Sequence, residues 1–373
     1  MEIVFDRDEL LSALNFVTPL IPTKSAFSIL QNVLIRTEGG KVILTGSDLD
    51  VFIEKAITAE ISEGTEGERF LLPGKKLLAI AREIEVDRIN LRISEDIVTI
   101  LGIRSNFTFP TISPSEYPAI PSFPEETTFE INWEDLWKLV RTASFVASKD
   151  YSRGAMSGVL LSSKGEELRV VATDGVRLAF TEKRDKFGPE FSLILPPKAF
   201  DLLSNYSGKV TFGIHSQNAS AEGPRLFGIR GEAIQITGRL IQGPFPAYEG
   251  IIPKEFIGNL RVDKKSFEST LKRVSLFANV ATKAVYLELG TGLVNMNIST
   301  PEIGSAREEI EAQYEGDELK VGFNASFMSE ILRHIDSDKI VIRFTSAASA
   351  MKIEPEEKED VEIFYLLMPI RMG

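Results

Sequence analysis

The chain has 373 residues, 43% of them hydrophobic, a formal net charge of −12 and no cysteine. That length and apolar content suffice for several cores, and the acidic balance argues against a protein that adheres to DNA by its whole surface. Without thiols there are no disulfides or thiolate ligands, and no apolar run is long enough to cross a bilayer. His215 and His334 lie far apart in sequence, which points to surface or partly buried side chains rather than a metal centre; no cofactor is expected. Met1–Arg7 lacks the basic start and apolar stretch of a signal peptide, so the expected compartment is the cytoplasm.

Taken in chain order, one pattern recurs. A short apolar run leads to a polar cap and a helix-spaced stripe at Val4-Phe5-Asp6 with Leu10, Leu14 and Val17. Asp suits the cap because its side-chain oxygens accept the unpaired amides of the first helical turn. A second strand and helix follow at Phe70-Leu71-Leu72-Pro73 with Leu77, Ala81 and Ile84. Pro110, Pro114, Pro118, Pro121 and Pro124 then mark an extended connector, since proline fixes φ and withholds an amide. The pattern restarts at Ile131-Asn132 (Leu136, Leu139, Val140, Ala143) and Leu193–Pro196 (Ala199, Leu202, Leu203). After Pro244, Pro246 and Pro253 it returns at Val262-Asp263 (Phe267, Leu271, Val274) and Val321–Asn324 (Phe327, Ile331, Ile335). A period of about 125 residues is a whole domain and too long for a solenoid repeat.

Three tandem domains are therefore expected, over 1–124, 125–254 and 255–373. Alternating segments such as Lys41–Thr45, Leu168–Ala172 and Lys339–Phe344 lie between the helices. Each domain reads as two helices packed on antiparallel sheet, an α+β class. The predicted helices are 6–18, 74–85, 133–149, 197–204, 263–276 and 325–336. Together they are near neutral, and the acidic excess falls elsewhere in the chain. The acidic run Glu354 to Glu362 reads as a solvated loop.

Catalytic signatures are missing. Gly74-Lys75 and Gly208-Lys209 lack the upstream glycine and following hydroxyl of a phosphate loop, and no G-x-G-x-x-G opens a helix. Asp174 in Thr173-Asp174-Gly175 has no local acidic company, and a turn aspartate is its expected role; a hydrolase built on it would need distant carboxylates to converge.

Five strings carry a family resemblance: Phe27–Leu34, Phe109-Pro110-Thr111 through Glu116-Tyr117-Pro118, Ala172–Ala179, Phe245-Pro246-Ala247-Tyr248 through Ile252-Pro253, and Tyr365–Met372. Together, in this order along essentially the whole chain, they resemble the bacterial DNA polymerase III beta subunit, the replicative sliding clamp. The resemblance implies a DNA clamp fold and a head-to-tail homodimeric ring whose helices line a hole for duplex DNA of any sequence, with the sheets outside. It also implies a non-catalytic processivity factor. Its partners would be the replicative polymerase catalytic subunit, an ATP-driven clamp loader and other repair and replication proteins carrying clamp-binding motifs, with no membrane. The alternative is a repeat-built protein-binding module that does not encircle DNA.

Site residues follow from the same resemblance. Lys24, Lys75, Arg153 and Lys198 are expected at DNA phosphates. Phe107 and Phe109 would meet Leu276 and Phe277 of a second copy. A partner-peptide pocket would take Met156, Thr173, Gly175, Val176, Arg177 and Leu178 from the second domain, and Pro246, Gly250 and Ile251 from the connector. Ala350, Leu366, Leu367, Met368, Pro369, Ile370 and Arg371 would complete it. Adaptable Met and Leu side chains suit such a surface, and Arg177 or Arg371 would donate to a peptide carbonyl or carboxylate. Val176 stands where the family commonly has histidine, and Gly250 where arginine occurs, so a more apolar peptide preference is expected. Leu366 and Leu367 are adjacent in a predicted strand and must face opposite sides.

Overall fold

The structure is a computed structural model that describes residues 1–62, 67–94, 97–110, 112–215, 225–290, 292–301, 303–357 and 360–370. The first repeat runs β1 (Glu2–Asp6), α1 (Arg7–Val17), β2 (Asn32–Glu38), β3 (Lys41–Ser47), β4 (Val51–Thr58), β5 (Glu60–Ser62), β6 (Arg69–Pro73), α2 (Gly74–Glu83), β7 (Arg88–Ile93), β8 (Ile97–Leu101) and β9 (Asn106–Pro110). The second runs β10 (Thr127–Asn132), α3 (Trp133–Ala143), β11 (Val159–Ser163), β12 (Glu167–Thr173), β13 (Arg177–Arg184), β14 (Phe191–Leu195), α4 (Pro197–Asp201), β15 (Lys209–Ile214), β16 (Leu226–Gly231) and β17 (Ile234–Arg239). The third runs β18 (Gly258–Asp263), α5 (Lys264–Val274), β19 (Ala284–Gly290), β20 (Leu293–Thr300), β21 (Gly304–Glu309), β22 (Ala312–Gly316), β23 (Leu319–Asn324), α6 (Ala325–Arg333), β24 (Lys339–Phe344), β25 (Met351–Pro355) and β26 (Val361–Leu367). Apart from β5 and β22, the three orders are the same.

Three of the predicted caps form. Asp6 accepts the amides of Asp8 and Glu9, Asp263 that of Ser266, and Asn324 those of Ser326 and Phe327. All six helices are shorter than predicted, α3 by the most. α3 ends at Ala143 and gives way to a 3-10 turn over Ser144–Val146, while α4 keeps five residues. The apolar spacing continues past both ends, but its side chains are buried from tighter turns.

The chain packs as two compact units, residues 1–134 with 198–240 and residues 135–197 with 241–373. The first holds a five-stranded sheet, β5-β1-β7-β8-β9, and an eight-stranded one, β10-β15-β16-β17-β4-β3-β2-β6. Leu10, Leu14 and Val17 of α1 are wholly buried, each contributing about 1.5–3 kcal/mol. The second unit holds the nine-stranded sheet β14-β11-β12-β13-β26-β25-β24-β18-β22 and the four-stranded β21-β20-β19-β23. There Phe267, Leu271 and Val274 of α5 and Ile331 of α6 are buried.

The unit boundaries fall inside the second repeat, because sheets continue across both proline connectors. β17 pairs with β4, Gln235 opposite Glu54, and β13 pairs with β26, Leu178 opposite Leu366. In both junctions the last strand of one repeat meets the same hairpin strand of its neighbour. In the order of the repeats, β4, β13 and β21 correspond, as do β9, β17 and β26. Among the described residues, β9 and β21 lack the strand partner that their counterparts have.

The acidic run is not a solvated loop throughout. Glu354 lies in β25, with Arg343 Nε 2.6 Å from one carboxylate oxygen and Lys352 Nζ 2.8 Å from the other, and Glu362 lies in β26. Lys352 and Glu354 share one face of β25, and Arg343 on β24, opposite Lys352, reaches Glu354 diagonally.

Candidate functional site

Every pocket residue predicted from the sequence, apart from Arg371 outside the described residues, falls in the second unit. The β12–β13 hairpin forms one wall. The Thr173 hydroxyl donates to the Arg177 carbonyl at 2.7 Å and accepts the Gly175 amide at 3.0 Å, while Asp174 Oδ1 accepts the amides of Val176 and Arg177. Asp174 is thus a turn aspartate. Gly175 has φ 86°, and a Cβ there would sit 3.0 Å from an Arg153 Nη2. Both facts favour glycine.

The floor is apolar. Leu178 and Leu366, in register on β13 and β26, join Ala155, Leu160, Ile194, Tyr248, Ala350 and Phe364 in one buried cluster. Leu367 is buried too but lies outside this cluster, as the alternation of a strand requires. Phe245, Ile241 and Ile252 pack against the cluster from the connector side. Around this floor Val176, Ile251 and Met368 are exposed at 41%, 54% and 43%; Pro246 and Gly250 are exposed, and Met156 and Pro369 half-buried. The Met368 amide donates to Val176 O at 2.9 Å, and that of Ile370 to Gly322 O on β23 at 2.8 Å. Residues 368–370 are therefore laced to the β12–β13 turn and to β23.

Arg177 is held largely by groups of the protein. It is 8% exposed; its Nε bonds Asp174 at 3.0 Å, and Nη1 lies 2.6 Å from Glu330 Oε2 in an ion pair without hydrogen-bond geometry. Its guanidinium also lies 4.4 Å from the Phe327 ring centre and 5.5 Å from that of Phe145. It buttresses the hairpin through Nε, with Nη1 left without a hydrogen-bond partner. The exposed cation at the rim is Arg153, which donates to the Asp174 carbonyl at 2.8 Å and reaches the Met156 sulfur at 4.0 Å. Arg153 thus stands with the pocket residues, whereas Lys24, Lys75 and Lys198 are all in the first unit. The sequence signal for this was its spacing, three residues before Met156.

Lys24 is exposed, and Lys75 at the start of α2 donates to Thr23 Oγ1 at 2.7 Å, so these two lysines are neighbours. Arg82, which sequence reasoning passed over, joins Lys75 along a groove of about 410 Å³ that also includes Asn15 and Leu78. Lys198 is committed: its ammonium lies 2.5 Å from Asp48 and 3.9 Å from Asp50.

The four residues expected at a copy-to-copy contact are not domain core. Phe107 and Phe109 on β9 are half-buried, and Phe107 lines a cavity of about 630 Å³ with Ile80, Ile84, Val86 and Ile103. Leu276 is 77% exposed and Val280 85%. Phe277 rests beside Gly304 at the start of β21, its carbonyl accepting the Thr300 hydroxyl at 2.7 Å.

The histidines are accounted for locally. His215 Nδ1 accepts the Leu226 amide, and His334 stacks on Phe145 with ring centres 3.7 Å apart. Among the described residues no cluster of three or more His, Asp or Glu is arranged to hold a metal, and no helix is long and apolar enough to cross a membrane.

Known proteins resemble this chain along its whole length. Sequence models of the DNA polymerase III beta subunit match its N-terminal domain at residues 1–121, its central domain at 130–247 and its C-terminal domain at 249–371. The beta sliding clamp of Pseudomonas aeruginosa is 27% identical over 381 residues and that of Haemophilus influenzae 28% over 378, each covering 100% of both chains. The crystal structure of the Pseudomonas aeruginosa subunit superposes with a TM-score of 0.90 at 26% identity, again with 100% coverage of both chains. A second structure from that organism, bound to griselimycin, gives the same values.

Proposed function

This chain belongs to the DNA polymerase III beta subunit family, and on that premise we propose that it is the sliding clamp of its replication machinery. Two copies join head to tail, close a ring around duplex DNA of any sequence, and tether the polymerase through the pocket beside Val176 and Met368. The three domains 1–124, 125–254 and 255–373 are the recurring parts of that ring. The chain itself catalyses nothing; opening it falls to a separate loader, and other replication and repair proteins share the pocket.

One observation carries this reading. Both internal junctions unite a last strand with a hairpin strand, and β9 and β21 are the leftover members of those two sets. A closed cyclic assembly needs two unlike, complementary surfaces on each copy. Leu276 of one copy would enter the cavity beside Phe107 of the next as β21 joins β9. The lysine pair Lys24 and Lys75 would meet phosphates, whose dense charge a basic lining attracts without reading bases. Arg153 is reassigned to the rim of the partner pocket, where it would orient a peptide carbonyl or carboxylate.

The test is retention on closed circular DNA after loading, compared with the same circle cut once. An encircling protein stays on the circle and runs off the cut ends. Equal retention on both, or on neither, would leave the non-encircling binding module as the better reading.

A further inference from the structure

The first repeat has its own counterpart of the apolar floor beneath the pocket. Leu34, Leu71 and Tyr117, with Ile29 and Ile120 against them, occupy the places in the repeat that Leu160, Ile194 and Tyr248 hold in the second. Beside them, wholly within the first unit, opens a cavity of about 780 Å³ whose walls include Arg36, Glu54, Arg69, Tyr117, Ile120 and Gln235. That volume is within the range of ligand sites.

Its polar groups are unevenly satisfied. Glu54, 7% exposed, is saturated: Arg36 Nη1 approaches at 2.5 Å, the Gln235 amide at 3.0 Å and the Thr45 hydroxyl at 3.3 Å. Arg36 is further occupied by Glu38 at 3.0 Å. Arg69 stands directly across from Arg36 on the β2–β6 ladder, exposed, and has no ion pair or side-chain hydrogen bond among the described residues. Glu54 and Glu38 answer the charge of Arg36, so Arg69 is the cation of this lining left without a carboxylate among the described residues. Tyr117 is 5% exposed, and its hydroxyl has no hydrogen-bond partner. Burial and the nearby Glu54 charge raise its pKa, so it remains a donor in need of an acceptor. A buried hydroxyl left unpaired is unfavourable by about 1–3 kcal/mol.

We infer that this cavity docks a carboxylate-bearing peptide segment, an Asp or Glu beside an apolar residue, with Arg69 and the Tyr117 hydroxyl receiving the carboxylate and Ile120 and its flanking prolines the apolar neighbour. An anion answers both vacant donors at once. A purely apolar ligand would leave them unpaired, and a cationic one would meet the unpaired charge of Arg69. β6 is the edge of its sheet, so an extended segment has open backbone groups to lie along. The site depends neither on ring closure nor on the pocket of the second unit.

The experiment uses the full-length protein at low salt and two probes, N-acetyl-leucyl-glutamate amide and its glutamine counterpart, followed by calorimetry. The glutamate peptide binds, and the glutamine peptide binds at least about tenfold more weakly, because charge-assisted bonds are about twice as strong as neutral ones. Arg69→Gln and Tyr117→Phe each weaken the glutamate peptide by about fivefold or more. Deleting Met368–Gly373 leaves it unchanged. Tyr117→Phe keeps the thermal midpoint, since the hydroxyl it removes has no partner. Equal binding of the two peptides, unaltered affinity in both variants, or an affinity matched by free acetate would overturn the proposal.

Discussion

Leu49 and Gly175 stand at the same point of two corresponding hairpins, with φ of 84° and 86°. The left-handed conformation belongs to the hairpin, and in the second copy glycine also leaves room for Arg153, whose Nη2 lies 3.0 Å from the Cβ position. Neighbouring chemistry, more than backbone need, separates the two junctions at the residue scale. Glu354 shows the same sensitivity to its surroundings. Burial pushes its carboxyl up, but hydrogen bonds from Lys352 and Arg343 outweigh that and hold it below the usual carboxylate range. A depressed folded pKa means the ion pairs stabilise fully above the unfolded value of about 4.3, and that contribution is lost as pH falls through the folded one. Glu354→Gln should lower stability by about 1 kcal/mol at neutral pH and flatten the acid limb of a urea-midpoint profile. A variant whose profile parallels the parent at every pH would contradict this. The Arg343 half of this pairing was hidden in the sequence because it depends on two strands meeting, while Asp174 could be read as a turn residue from its immediate neighbours.

Among the elements, the open strands and the chain end carry the sharpest expectations. On the proposed reading, Leu276→Ala with Phe277→Ala should give a folded monomer, because Leu276 is exposed in the single chain and its loss leaves no internal cavity. Sedimentation at low concentration would report the change, and circular dichroism would confirm intact folding; a persisting dimer would refute the assignment. Removing Met368–Gly373 strips the rim from the pocket and uncovers β23, yet leaves the β13–β26 ladder whole. Binding of a polymerase-tail peptide should fall below detection by calorimetry, while the dimer remains. The helix caps and the three-fold order of elements were readable because each arises within a few residues. The ends of α3 and α4 were not, since their apolar spacing continues into tighter turns. Arg177 looked like a ligand donor until Glu330 and two aromatic rings, all distant in sequence, were seen to enclose it.

For the molecule as a whole, an acidic protein must hold DNA without binding it everywhere. Lys24→Glu with Lys75→Glu should weaken loading and processive synthesis more than Lys24→Glu with Lys198→Glu, because Lys198 is already neutralised by Asp48 and Asp50. The difference should shrink as salt rises, since released counterions drive phosphate contacts. Equal effects of the two pairs in a primed-circle synthesis assay would mean that Lys198 leaves its carboxylates when DNA arrives.

The seams between repeats have one more consequence. A strand ladder crosses each proline connector, so the excised middle repeat, residues 125–254, would expose both β13 and β17, one of each mating kind. Such a fragment is self-complementary in a directional sense. Copies of it would add end to end, giving a closed oligomer if the successive rotations sum to a full turn and an open filament if they do not. On the proposed reading the whole chain also keeps one strand of each kind open, β9 and β21, so its growth too is limited only by closure of the ring.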